Sequence, residues 1–126
     1  MVRRRPKGFT LIELLVVLAI LGLLLSIASP QYFRSVDASK ETVLAENLRI
    51  TREAIDHFHA DRGRYPDSLD ELVGRRYLRA LPIDPLVDSA TAWAMIAAPQ
   101  GSSGHVADIK SRAPGVGRNG RPYAQW

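Results

Sequence analysis

Glu13 is the side chain whose type and position ask for a chemical explanation. It stands in the stretch Lys7-Gly8-Phe9-Thr10-Leu11-Ile12-Glu13-Leu14, and the nearly unbroken apolar run that follows reaches Ala28. A charge at the centre of a bilayer costs on the order of 2.5–3.5 kcal/mol on insertion scales. A carboxylate kept in such a segment therefore points to a partner, and the role it suggests is assembly of one subunit against another inside the membrane. Other candidate groups carry less. Asp56-His57-Phe58-His59-Ala60-Asp61 has the residue types of a metal site. His57 and Asp61 share a helix face, but His59 lies about 200° around the helix from His57, so a solvated helix end is the better account. No nucleophile is accompanied by a base and an orienting acid, and no Gly-rich phosphate loop follows a strand. Ser102 and Ser103 lie in a turn sequence. No catalytic residue, metal ligand or cofactor is assigned.

The element that must carry Glu13 is a membrane helix. Phe9 to Ser29 as a helix spans roughly 32 Å, close to the ~30 Å hydrocarbon core. Arginines precede the segment and none lies within it, which sets the N-terminus in the cytoplasm and the C-terminal part outside, the periplasm in a bacterium with two membranes. An ordinary secretory signal is the competing account, since Ser26-Ile27-Ala28 is an acceptable cleavage site after an apolar stretch. That account would release a soluble binding domain beginning at Ser29. Glu13 argues against it, because a charge serves no purpose in a discarded apolar segment. A plain signal anchor is the remaining alternative.

Gly8-Phe9-Thr10-Leu11-Ile12-Glu13-Leu14 closely resembles the leader signal of type IV pilins and type II secretion pseudopilins. In that signal a short basic leader ends in glycine, the mature chain begins with phenylalanine, and its fifth residue is glutamate. The resemblance implies cleavage between Gly8 and Phe9 by a membrane-embedded prepilin peptidase, which then methylates the Phe9 amine. The residues suit this chemistry. Glycine before the cut leaves the backbone open to close approach. Cleavage creates an ammonium at Phe9, and N-methylation preserves its charge. In a filament that ammonium would meet Glu13 of a neighbouring subunit. Two unit charges about 4 Å apart attract by roughly 4 kcal/mol at an effective dielectric near 20, and desolvation cancels part of the gain. An unpaired Glu13 is penalised, so correctly staggered subunits are favoured. Pairing of Glu13 with the Phe9 amine of its own chain is the alternative, since i,i+4 groups share a helix face.

The implied division is a leader over residues 1–8, a transmembrane and assembly helix over 9–29, and a periplasmic domain over 30–126. The chain has 126 residues, 17 basic and 13 acidic side chains, and a formal charge of +4. Arg3, Arg4, Arg5 and Lys7 all precede the cut; without these four, 13 basic side chains face 13 acidic ones. The basic balance thus belongs to the leader and argues against a nucleic-acid-binding surface. The tail is the local exception, with Lys110, Arg112, Arg118 and Arg121 and no acid after Asp108. There is no cysteine, so no disulfide holds the small domain; helix-to-sheet packing or subunit contacts must do so.

Helical periodicity continues beyond the membrane. Leu44, Leu48, Thr51, Ile55 and Phe58 form one stripe, and Val43, Ile50 and Ala54 are expected to widen it. Arg49–Glu53 and Arg52–Asp56 are opposite charges four apart on the wet side. One helix from Phe9 to about Asp61, near 80 Å long, is expected, kinked at Pro30, which lacks an N–H and clashes with the preceding turn. Gly63 should end it. Ser68-Leu69-Asp70-Glu71 is a capping-box pattern, predicting a short helix from Asp67 or Ser68 to about Val73, stopped by Gly74. Trp93-Ala94-Met95-Ile96 and His105 to Lys110 are strand candidates around the turn Gly101-Ser102-Ser103-Gly104. The fold class is α+β, a long helix across a small antiparallel sheet of two or three short strands.

Tyr65-Pro66 followed by Leu69 and Leu72, and then Leu81-Pro82-Ile83-Asp84-Pro85, resemble the major pseudopilin of type II secretion. That likeness implies a homo-oligomeric filament with other pseudopilins, storage in the inner membrane, and extraction by an assembly platform with a cytoplasmic ATPase. It also implies calcium, because such pseudopilins commonly hold that ion in a C-terminal loop through aspartates. Here Ser111 to Trp126 contains no acid, and calcium needs several hard oxygen ligands, usually with carboxylates among them. Asp84, Asp88 or Asp108 would have to fold in; Asp84 and Asp88 read most simply as turn residues. A loop held by hydrogen bonds and by packing of Tyr123 and Trp126, with Trp126 as a core plug, is the preferred reading. The rival within the resemblance is a major or minor type IV pilin for adhesion, motility or DNA uptake, against which the missing cysteine counts.

Overall fold

The computed structural model describes residues 3–126, with the side chains at 29 and 31–36 left out of the description. The first two residues of the expected leader lie outside the described residues. The chain divides into a unit up to Asp37 and a unit Ala38–Trp126.

In the first unit, residues 3–10 have no regular structure. Helix α1 (Leu11–Arg62) then begins, and Pro30 lies inside it. Its start at Leu11 rather than Phe9 has a local cause. The Thr10 hydroxyl accepts from the Glu13 N–H (3.2 Å) while the Glu13 carboxylate accepts from the Thr10 N–H (3.0 Å), the reciprocal arrangement of a capping box. The span Leu11–Ala28 has a mean hydropathy of 2.8 and is nowhere buried within the chain.

In the second unit α1 carries the core. Leu44, Leu48, Thr51, Ile55 and Phe58 are all buried, as the stripe predicts, and so is Ala54. Val43 and Ile50, expected to widen the stripe, stay exposed at 47% and 42%, Ile50 bordering a hollow walled by residues 77–83. The helix ends where Gly63, at φ +68, donates its N–H to the His59 carbonyl (2.9 Å), a left-handed termination that glycine adopts without strain.

Helix α2 (Leu69–Gly74) has Ser68 as its N-cap, and buries Leu69 and Leu72. The Ser68 hydroxyl accepts from the Glu71 N–H, and Glu71 accepts from the Asp67 N–H one residue before the cap. Gly74 does not stop this helix. It is its last residue, and the left-handed conformation falls on Arg76 (φ 66), because the Tyr77 and Leu78 N–H groups fold back onto the Leu72 carbonyl.

Strands β1 (Trp93–Ile96) and β2 (Asp108–Ser111) form a two-stranded antiparallel sheet with Trp93 opposite Ser111 and Met95 opposite Ile109. The second strand starts later than the expected His105. The N–H groups of His105 and Val106 are instead taken by the Pro66 carbonyl, which ties the turn to the loop after α1. Gly104 (φ +98) makes this contact possible, since a Cβ there would lie 2.0 Å from the Tyr65 carbonyl oxygen. Trp93, Val106 and Ile109 close the core against Leu44, Leu48, Ile55, Phe58, Leu69, Leu72 and Leu78. The buried Trp93 indole donates to the Pro82 carbonyl (2.9 Å). The architecture is α+β.

Candidate functional site

The sequence directs attention first to Gly8, Phe9 and Glu13. Gly8 is exposed in the non-helical lead-in, with nothing within 4 Å of where a Cβ would be. Phe9 is 92% exposed, two residues ahead of α1. The Gly8–Phe9 bond therefore lies in exposed, non-helical backbone shortly before α1. Ser26-Ile27-Ala28, the alternative cutting site, lies inside α1, and the Ser26 hydroxyl donates to the Gly22 carbonyl of the preceding turn.

Glu13 is in the first turn of α1. With Phe9, Leu14 and Val17 it lines a shallow hollow. Its bond to the Thr10 N–H stabilises the helix start. The T-x-x-E spacing was legible in the sequence as a cap, yet sequence reasoning assigned Glu13 to pairing alone.

Other expected pairings redistribute. Arg49 pairs with Glu53 (2.6 Å), as spacing predicts, and also with Glu46 (2.6 Å). Arg52 does not pair with Asp56. It reaches across to Asp108 (2.8 Å), the Ile109 carbonyl (3.0 Å) and the Trp126 carbonyl (2.7 Å), because β2 and the tail place three acceptors together where Asp56 offers one solvated carboxylate. His57 and Asp61 do share a helix, but Asp61 accepts from the Tyr77 hydroxyl (2.7 Å) and His59 lies against the Tyr65 ring at 4.3 Å.

The aspartates weighed as calcium ligands are also dispersed. Asp84 is wholly buried and accepts from the Leu86 N–H (2.9 Å) and the Ser111 hydroxyl (2.5 Å), joining its loop to β2. Asp108 is held by Arg52 and by the Ile109 N–H. Asp88 is an exposed turn residue at φ 51. Among the described residues, no three His, Cys, Asp or Glu side chains gather as a metal site.

Sequence reasoning missed Glu41. It precedes Leu44 by three on the buried stripe, is 9% exposed, and accepts from the Arg118 N–H (2.9 Å) and the Tyr123 hydroxyl (2.7 Å). An acid on an otherwise apolar face was the available signal. Trp126 is half-buried and not a deep plug; it packs against the core's edge and on Tyr123, ring centres 5.3 Å apart.

Comparison with known proteins adds relatives to this geometry. The prokaryotic N-terminal methylation motif matches residues 3–29. The type II secretion system core protein G of Pseudomonas aeruginosa is 35% identical over 101 residues, 68% of this chain and 71% of that protein. The protein of the same name from Aeromonas hydrophila is 31% identical over an equal extent. The type IV major pilin protein PilA of Myxococcus xanthus is 38% identical over 68 residues, 54% of this chain but only 31% of that pilin. No solved structure matches the chain. The methylation motif lies over the lead-in, Glu13 and the apolar span, and the likeness to the secretion proteins extends over two-thirds of their length. The chain is accordingly a member of the type II secretion system core protein G family, the pseudopilins.

Proposed function

We propose that the chain is cut between Gly8 and Phe9 by a prepilin peptidase, methylated on the new Phe9 amine, and assembled as the structural subunit of a type II secretion pseudopilus. Before assembly it is held in the inner membrane by the span Leu11–Ala28, N-terminus in the cytoplasm and the domain after Pro30 in the periplasm. A platform powered by a cytoplasmic ATPase extracts it, and the growing filament drives protein export. The chain itself catalyses nothing in this scheme.

The observation that carries the reading is a register. The Gly8–Phe9 bond lies in non-helical backbone two residues before α1, and Glu13 stands in the first turn of that helix, lining one hollow with Phe9. A free Phe9 ammonium one subunit away supplies the opposite charge that Glu13 lacks within a bilayer. Pro30, inside α1, removes one backbone donor and is the proposed kink of the stem.

The decisive measurement is the mass of the mature N-terminus in cells that carry the peptidase. N-methylated Phe9 is expected; a chain beginning at Ser29 would overturn the reading in favour of secretion. Similarity to the Myxococcus xanthus pilin supports a second reading, a type IV pilus subunit. Deleting the gene separates the two: loss of exoprotein release with surface motility intact fits the pseudopilus, and the opposite result fits the pilus.

A further inference from the structure

The family resemblance carries an expectation of calcium in the C-terminal loop, and the donor set of this chain does not fit it. Between Ala113 and Trp126 the side chains are neutral or basic. The nearby carboxylate, Glu41, is turned toward hydrogen-bond donors, with one oxygen accepting both from the Arg118 N–H and from the Tyr123 hydroxyl. A cation competing for that oxygen would displace both donors and approach a loop bearing Arg118 and Arg121.

The loop is closed by its own contacts. Val116 and Pro122 form an antiparallel bridge. The Gly117 N–H donates to the Arg121 carbonyl (2.8 Å) and the Gly120 N–H to the Gly117 carbonyl (3.0 Å), while the Asn119 side chain accepts from the Arg121 N–H (3.0 Å). The Trp126 ring covers Gly117 so closely that a Cβ there would lie 2.5 Å from it, and the indole N–H donates to the Arg121 carbonyl (3.2 Å). Arg52 holds the far end through the Trp126 carbonyl. Among the described residues no buried side-chain nitrogen or oxygen lacks a partner.

We infer that Glu41 clamps the C-terminal loop to α1 in the place where related pseudopilins use a cation, and that this subunit folds and assembles without calcium. The inference takes its calcium expectation from the pseudopilin reading, but the clamp rests on contacts within the domain alone. An acid on the helix and a loop without acids are the two halves of one arrangement: the negative charge sits on the other side of the contact.

The test is hydrogen exchange read by mass spectrometry on the full chain in detergent, with calcium chloride as the only added metal. Exchange across residues 113–126 should be the same in millimolar calcium as in chelator. Glu41→Ala should speed it about tenfold in both, the effect of losing roughly 1.4 kcal/mol of hydrogen bonding. Glu41→Gln keeps an oxygen acceptor and should stay near wild type. Calcium slowing exchange in the wild-type loop tenfold or more would overturn the inference, as would Glu41→Ala leaving that segment unchanged. Neither result depends on the mature N-terminus, whose mass tests the pseudopilin reading separately.

Discussion

Glu13 caps α1, and the second role proposed for it, in the filament, is one that a single substitution can separate from the first. Its carboxylate caps α1 through the Thr10 N–H, and in the proposed filament it also pairs with a neighbour's amine. Glutamine keeps the cap but not the charge. Glu13→Gln should therefore be cleaved normally and lose most filament assembly, measured by sheared-fraction yield; wild-type yield would assign Glu13 to capping alone. Glu71 behaves differently, because its charge is satisfied within the domain. Bonds from Arg64 and then from the Asp67 N–H hold its carboxyl at about 2 rather than 4.5. A depressed folded value means that its stabilising contribution is complete above about 4.5 and is lost as pH falls toward 2. Glu71→Gln should cost on the order of 1 kcal/mol at neutral pH and flatten this part of the acid limb in a pH series of thermal melts. At Gly104 the constraint is steric: Gly104→Ala brings a methyl 2.0 Å from the Tyr65 carbonyl oxygen at φ +98, and should cost about 2–4 kcal/mol in a denaturant melt.

At the scale of elements, the helix was the legible part, and its period is the reason. Leu44, Leu48, Thr51, Ile55 and Phe58 recur at helical spacing and all are buried. Trimming this stripe should cost most where it is fullest. Phe58→Ala removes a ring that meets Tyr77 edge-on at 5.3 Å and lies under the guanidinium groups of Arg62 and Arg64, so a loss of about 3–5 kcal/mol is expected in a chemical melt. Less legible was what neighbours would do to a local preference. Spacing alone paired Arg52 with Asp56, but tertiary structure supplied Asp108, the Ile109 carbonyl and the Trp126 carbonyl. His105 looked like strand, yet its N–H was claimed by Pro66. The width of the apolar face was also overestimated, since Val43 and Ile50 stay exposed and the reach of the segments packed on α1 is something no helical pattern encodes. The N-terminal methylation motif over residues 3–29 was legible for the opposite reason, because its signal lies in residues adjacent in sequence. Glu41 was not, because its partners are 77 and 82 residues away.

Across the whole molecule, charge and apolar surface are divided along the chain. Four basic residues precede Gly8, and the span that follows them is nowhere covered by the protein itself. Processing should therefore move the chain from its basic isoelectric point, near 9.9, toward neutrality, a shift visible by focusing precursor and mature forms side by side. The tail contacts carry another consequence, for the timing of synthesis. Arg52 and its Trp126 acceptor are 74 residues apart, which a ribosome covers in about 4–15 s at roughly 5–20 residues per second. During that interval Arg52 and Glu41 have been made, but the Trp126, Arg118 and Tyr123 groups that they hold have not. Contacts of such long separation form late, so the ties between α1 and the C-terminal loop close only after residues 118–126 have emerged.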